Sequence, residues 1–169
     1  IQAKILELLA ELRDERNMGL ILITHDLGIA AEVADNVIVL KNGKIVERGP
    51  LKDVFVNPYH AYTKQLMSSI PGQSNNSKKT VINKKGNPIL EIKNISKSYD
   101  TLACDDICFN LYSNEVLGVV GESGSGKTTI SNLILRLTNP SNGTILYHGK
   151  NIFDFNKQEL FNFRRKVQV

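Results

Sequence analysis

Apolar and polar positions along the chain alternate between helical and strand periods, and each change of period marks an element. Residues 1 to about 16 place Ile1, Ile5, Leu8, Leu9 and Leu12 on one side at helical spacing, with Lys4, Glu7, Glu11, Asp14 and Glu15 largely elsewhere. That spacing predicts an amphipathic helix, ended by Asn17-Met18-Gly19. Leu20-Ile21-Leu22-Ile23-Thr24 follows as an unbroken apolar run, the pattern of a strand covered on both faces in a parallel sheet. A short helix is expected over 27–34, then a hairpin in which strands 37–40 and 44–47 flank the turn pair Asn42-Gly43. Pro50 opens a segment with helices expected over 51–56 and 59–70. The pattern then lapses: residues 72–87 are polar, basic and short of apolar side chains, the composition of a linker. Beyond it, Leu90 and Ile92 alternate with Glu91 and Lys93, and Ile107, Phe109 and Leu111 with Cys108 and Asn110, as in half-buried antiparallel strands. Val116-Leu117-Gly118-Val119-Val120 reads as a short buried strand, 129–137 as a helix, 139–143 as a loop and 144–147 as a strand turning at His148-Gly149. The fold class is α/β, with a mixed sheet that has a parallel core and an antiparallel β-subdomain in the second half.

Bulk properties narrow this only slightly. At 169 residues and 41% hydrophobic content the chain can be one ordinary domain or two partial ones. No apolar run reaches the roughly 18 residues a membrane helix needs, and Ile1-Gln2-Ala3-Lys4-Ile5 reads as neither a signal peptide nor a start of translation. The expectation is a piece of a longer reading frame. The net charge of +4, from 21 basic and 17 acidic residues, is concentrated in Lys78, Lys79, Lys84, Lys85 and Arg164-Arg165-Lys166. Solvated linker charge accounts for it more simply than a nucleic-acid patch does. Cys104 and Cys108 have no histidine at metal-ligand spacing, so they are expected to be reduced, buried small residues of a cytosolic protein.

The chemistry is concentrated in Gly121-Glu122-Ser123-Gly124-Ser125-Gly126-Lys127-Thr128, which fits G-x-x-x-x-G-K-[ST] at every fixed position. A strand runs into it and a helix runs out, as a phosphate-cradling loop requires. Glycines without Cβ atoms let backbone N–H groups close around phosphate oxygens at the helix N-terminus. Lys127 then supplies a point charge at the β and γ phosphates, and the Thr128 hydroxyl a ligand for Mg2+. A glycine-rich turn that happens to carry a lysine is the competing explanation. His25, where the first apolar strand ends, is a candidate site residue because open α/β sheets bind ligands at strand carboxyl ends. A helix-capping or hydrogen-bonded structural histidine fits the same position.

Residues 121–129, with Ile-Lys-Asn-Ile-Ser-Lys-Ser-Tyr at 92–99, resemble the start of an ABC-transporter ATPase domain. Ile-Leu-Ile-Thr-His-Asp-Leu at 21–27 and the run from Asp35 to Gly43 resemble the end of one. Asn57-Pro58-Tyr59-His60-Ala61-Tyr62-Thr63-Lys64-Gln65-Leu66 is similar to the C-terminal extension of ATPases serving oligopeptide, dipeptide and nickel importers, with Ala61 where proline is usual. The resemblance implies three parts: 1–71 as the tail of a first ATPase domain with its extension at about 50–70, 72–88 as a linker, and 89–169 as the head of a second. By it, Gly121 to Thr129, including Thr129 itself, hold ATP with Mg2+, Tyr99 stacks on adenine, and His25 contacts the γ-phosphate. Tyr99 as a strand-edge core residue, and His60 and Tyr62 as surface helix residues without a site role, remain alternatives. The resemblance also implies transmembrane permease subunits, an extracytoplasmic solute-binding protein and a second ATPase domain as partners. No nucleic acid is expected, and the location is peripheral, at the cytoplasmic face of the plasma (inner) membrane. The family's signature Leu-Ser-Gly-Gly-Gln, glutamine loop and acidic magnesium-site strand do not occur in these 169 residues, so this piece is expected not to hydrolyse ATP by itself.

Two function classes compete with solute import. One is a soluble paired-domain ATPase acting on ribosomes or nucleic acid, which the short Asn-, Ser- and Lys-rich linker disfavours. The other, a GTPase or small-molecule kinase, lacks support because no Asn-Lys-x-Asp motif occurs. The inverted order of tail and head carries one further expectation. The resemblance implies that 20–24 lies directly beside 116–120 with 37–40 on the other side, so the two pieces are expected to dock as a circularly permuted partial domain with His25 near the phosphate loop, which would cover apolar strand faces that are otherwise bare. Sixteen linker residues reach about 50 Å when extended, so connectivity permits it. Two separate, poorly packed lobes are the alternative.

Overall fold

The computed structural model describes residues 2–68 and 86–168; the linker, save its last three residues, and the end of the helix expected to reach residue 70 lie outside them. Helix α1 (Gln2–Arg16) ends at Asn17, whose φ of 51° is the left-handed turn that closes a helix. Strand β1 (Leu20–Thr24) leads through Asp26, the N-cap of α2 (Leu27–Val33), to β2 (Asn36–Lys41) and β3 (Lys44–Pro50). Asn42 and Gly43 both have positive φ, 49° and 75°, as a two-residue hairpin turn of the expected kind requires. Helices α3 (Leu51–Val56) and α4 (Ala61–Ser68) follow.

In the second segment β4 (Leu90–Ser98) pairs antiparallel with β5 (Leu102–Leu111), and β6 (Val116–Gly121) is buried along its whole length. After α5 (Lys127–Ile134), Arg136 turns the chain in the left-handed region, so the helix stops short of the expected residue 137. Strands β7 (Asn142–Tyr147) and β8 (Lys150–Asn151), a 3-10 turn over Ile152–Asp154 and α6 (Lys157–Lys166) complete the described chain.

Two four-stranded sheets result, in the orders β1-β6-β2-β3 and β5-β4-β7-β8. In the first, β6 from the second segment lies between β1 and β2 from the first, parallel to both, with Leu20 opposite Val116 and Asn36 opposite Leu117. The permuted docking expected from bare strand faces is thus what the molecule adopts; the separate lobes are not. Because side chains alternate across a strand, β6 sends Leu117 and Val119 into one core and Val116 and Val120 into the other. The first core is filled by β4, β5, β7 and α5, the second by α2, α3 and α4.

Three expectations need correction. Strand β1 is half-buried rather than covered on both faces, because it forms the edge of its sheet. Helix α1 leaves Ile5 and Leu8 54% and 55% exposed, so its apolar stripe is largely uncovered. Cys104 is buried as expected, but Cys108 is half-exposed, its sulfur accepting the Asn94 amide.

Candidate nucleotide-binding site

Strand β6 delivers the glycine loop and α5 receives it, which puts the loop at the carboxyl edge of the parallel strands. Gly121, Gly124 and Gly126 have φ of 153°, 79° and 101°. A Cβ on Gly121 would stand 2.3 Å from the Leu40 carbonyl oxygen, and one on Gly126 would stand 2.6 Å from that of Ala103. At those two positions the close approach of backbone to backbone demands glycine. Gly124 instead faces open space, as a loop must where an anion enters. Among the described residues, the Gly124 and Gly126 amides donate to no protein acceptor, and Gly126 caps α5 without a side-chain bond. Orphan N–H groups at a helix start are a donor set for phosphate oxygens. On that chemistry the loop fits a triphosphate.

Lys127 folds back over the loop. Its Nζ donates to the carbonyls of Gly121 at 2.8 Å and Glu122 at 2.7 Å, with the Ser125 hydroxyl at 3.4 Å. Burial pushes its pKa down, because the partners are neutral oxygens and nothing anionic offsets the desolvation. A phosphate bound at the loop would supply that negative charge. Thr128 is exposed on the first turn of α5 with its hydroxyl available to a metal ligand sphere, and Thr129 is half-buried beside it.

The first segment braces the loop at two points. Gly43, at the β2–β3 turn, donates its N–H to the Ser125 carbonyl at 3.0 Å and accepts from the Asp105 amide at 2.8 Å. Tyr62 of α4 accepts the Glu122 amide on its hydroxyl at 3.2 Å. At 4% exposure Tyr62 is a core residue, so the surface-residue alternative is excluded for it. Neither brace is legible in the sequence: the Asn-Gly turn and the Tyr of the extension are visible there, but not where they point.

His25 directly follows β1, whose Thr24 pairs with Val120, so it leaves the sheet at the edge where β6 enters the loop. It is exposed and caps no helix: Asp26 does, its Oδ1 accepting from Gly28 at 2.9 Å and Ile29 at 3.3 Å. The helix-capping alternative for His25 is therefore excluded. Tyr99 is 57% exposed just past β4, with Lys97 Nζ 4.9 Å from its ring centroid. It is no core residue, and its ring is accessible to stacking. Among the described residues no cluster of His, Cys, Asp or Glu could hold a metal ion.

Residues 104–169 match the family described as ABC transporter, and residues 46–101 the family described as oligopeptide/dipeptide transporter, C-terminal region. The glutathione import ATP-binding protein GsiA of Shigella flexneri serotype 5b and that of Escherichia coli K12 are each 32% identical over 204 residues, an alignment covering 99% of this chain. The chain spans about a third of the length of these curated relatives, 32% of each. Among solved structures, cbiO1 from Clostridium perfringens, part of the ABC transporter complex cbiONQ, is similar at 28% identity and a TM-score of 0.43, over 47% of this chain and 32% of that one. A bacterial Atm1-family ABC exporter with ATP bound is similar at 26% identity and a TM-score of 0.41, over 60% of this chain and 18% of that one.

Proposed function

We propose that the chain belongs to the ATP-binding proteins of ABC transporters and that it binds MgATP at residues 121–129 as part of a subunit that energises solute import. Residues 1–71 are the close of one ATPase domain, 72–88 a linker and 89–169 the opening of another. The observation that carries the reading is the loop itself, with Gly121 and Gly126 excluded from bearing side chains, free amides at the start of α5, and a lysine desolvated without an anion.

The backbone amides of Gly124 and Gly126 hold phosphate oxygens, Lys127 moves from the loop carbonyls to the β and γ phosphates, and the Tyr99 ring stacks on the base. Mg2+, when bound, neutralises charge on the phosphates, and Thr128 offers it an oxygen. His25 stands by the γ-phosphate, where its role is to orient a water in the reaction rather than to hold nucleotide. In the whole protein, two such domains close on ATP and drive permease subunits, fed by a solute-binding protein. The work is done at the cytoplasmic face of the inner membrane; no helix among the described residues is long and apolar enough to cross one. The resemblance of 46–101 to the oligopeptide/dipeptide region, and the glutathione importers among its relatives, favour a peptide-like solute.

Binding rather than turnover tests the site in this 169-residue chain. Titrated calorimetrically with MgATP, Lys127→Ala should abolish detectable binding while His25→Ala changes affinity less than about twofold. Equal losses in both would contradict the assignment of roles.

A further inference from the structure

A run of hydrogen bonds begins at Glu47 on β3 and ends on the phosphate loop. Glu47, only 2% exposed, accepts the Tyr59 amide on Oε1 at 2.9 Å and the His60 amide on Oε2 at 3.1 Å. His60 in turn accepts the Tyr62 amide on Nδ1 at 3.1 Å, doing for the first turn of α4 what an N-cap side chain does. The Tyr62 ring is buried, with Lys41 Nζ 4.4 Å from its centroid, and its hydroxyl accepts the Glu122 amide. Burial raises the phenol pKa, which keeps the hydroxyl neutral.

The residue it holds is the one that matters for Lys127. The Glu122 N–H is fixed by Tyr62, while its carbonyl accepts both Lys127 Nζ at 2.7 Å and the Ser125 amide at 3.2 Å. The Glu122 N–H shares its peptide unit with the Gly121 carbonyl, which accepts Lys127 Nζ at 2.8 Å, so a shift of that unit moves the resting place of the lysine and, through the Glu122 backbone, the turn around Ser125. Misplacement by about 1 Å is enough to degrade a site that works through positioning. We propose that Tyr62 is a positioning residue for nucleotide, its hydroxyl setting the first turn of the phosphate loop, and that Glu47 and His60 exist to aim the phenol. The inference rests on the MgATP reading above and adds to it a residue outside the glycine motif.

The test uses the 169-residue chain and two measurements. In its ligand-free form, amide hydrogen exchange at Glu122 should accelerate about fivefold in Tyr62→Phe, the loss of one hydrogen bond, with exchange in β6 unchanged. In calorimetry with MgATP, Tyr62→Phe and His60→Ala should weaken binding about three- to tenfold, and His60→Asn, which keeps a capping acceptor, should stay within about twofold of the parent. A merely structural role for His60 and Tyr62 predicts lowered thermal midpoints with unchanged affinity per folded molecule. Unchanged Glu122 exchange, or parental affinity in Tyr62→Phe while Lys127→Ala abolishes binding, overturns the proposal and leaves the MgATP reading standing. Binding that survives Lys127→Ala overturns that reading and the proposal with it.

Discussion

Asp35 shows how one side chain can join two distant segments. Its amide donates to the Val116 carbonyl at 2.9 Å and its Oδ2 accepts the Val116 amide at 2.8 Å, so it extends the β2–β6 pairing by a side-chain rung. Burial raises the carboxyl pKa, opposed by the Val116 amide and by the Arg13 guanidinium 3.8 Å away. A carboxyl whose pKa is raised on folding binds its proton more tightly in the native state. Its contribution to stability is therefore greatest in acid, and falls as pH rises from the ordinary carboxylate value of about 4 through the raised one. Asp35→Asn keeps an acceptor for Val116 and removes the charge; it should flatten that slope in urea titrations run across the acid range. Asp35→Ala orphans a buried amide and should cost about 1–3 kcal/mol. If the asparagine variant loses as much as the alanine one, the charge rather than the hydrogen bond holds the segments.

At the scale of elements, the β2–β3 turn serves the fold and the site at once. A Cβ on Gly43 would stand 2.7 Å from the Ala103 carbonyl oxygen, and its φ is positive, so Gly43→Ala should destabilise by about 1–3 kcal/mol. The Gly43–Ser125 bond should go with it, weakening MgATP binding per folded molecule. Asn42→Gly, at the neighbouring exposed turn position, should leave affinity unchanged and is the control. Such comparisons show what could be read in advance. Asn42-Gly43 and the glycine loop were legible because positive φ selects residue types locally, whereas the order β1-β6-β2 came from the family resemblance, with the apolar faces of β1 and β6 giving only the reason to dock. The Gly43 contact with Ala103, the aim of Tyr62 at Glu122 and the buried Glu47 were not, since each depends on residues remote in sequence. The apolar stripe of α1 misled for the same reason: period states what a face would bury, not whether a neighbour is there to cover Ile5 and Leu8.

For the whole molecule, the interleaving of strands decides how it unfolds. Each core mixes the two segments: Ile38 and Leu40 of the first lie with Ile92, Phe109 and Leu133 of the second, while Val116 and Val120 of the second lie among Leu27, Val54 and Phe55 of the first. Pulling β6 from between β1 and β2 would bare apolar faces on both sides of it, so neither core can persist without the other. The chain contains no tryptophan, which allows one reporter per core: Phe109→Trp in the first and Phe55→Trp in the second. In each variant, urea unfolding followed by tryptophan fluorescence should coincide with that followed by far-UV circular dichroism, a single transition. Two lobes joined only by a linker would separate them, the Phe55→Trp signal and the circular dichroism parting at different midpoints. Because the paired strands come from segments joined through a long connection, the same pairing is available between two copies. A midpoint that rises with protein concentration, in step with a dimer seen by sedimentation, would identify exchange of segments while leaving the strand order intact.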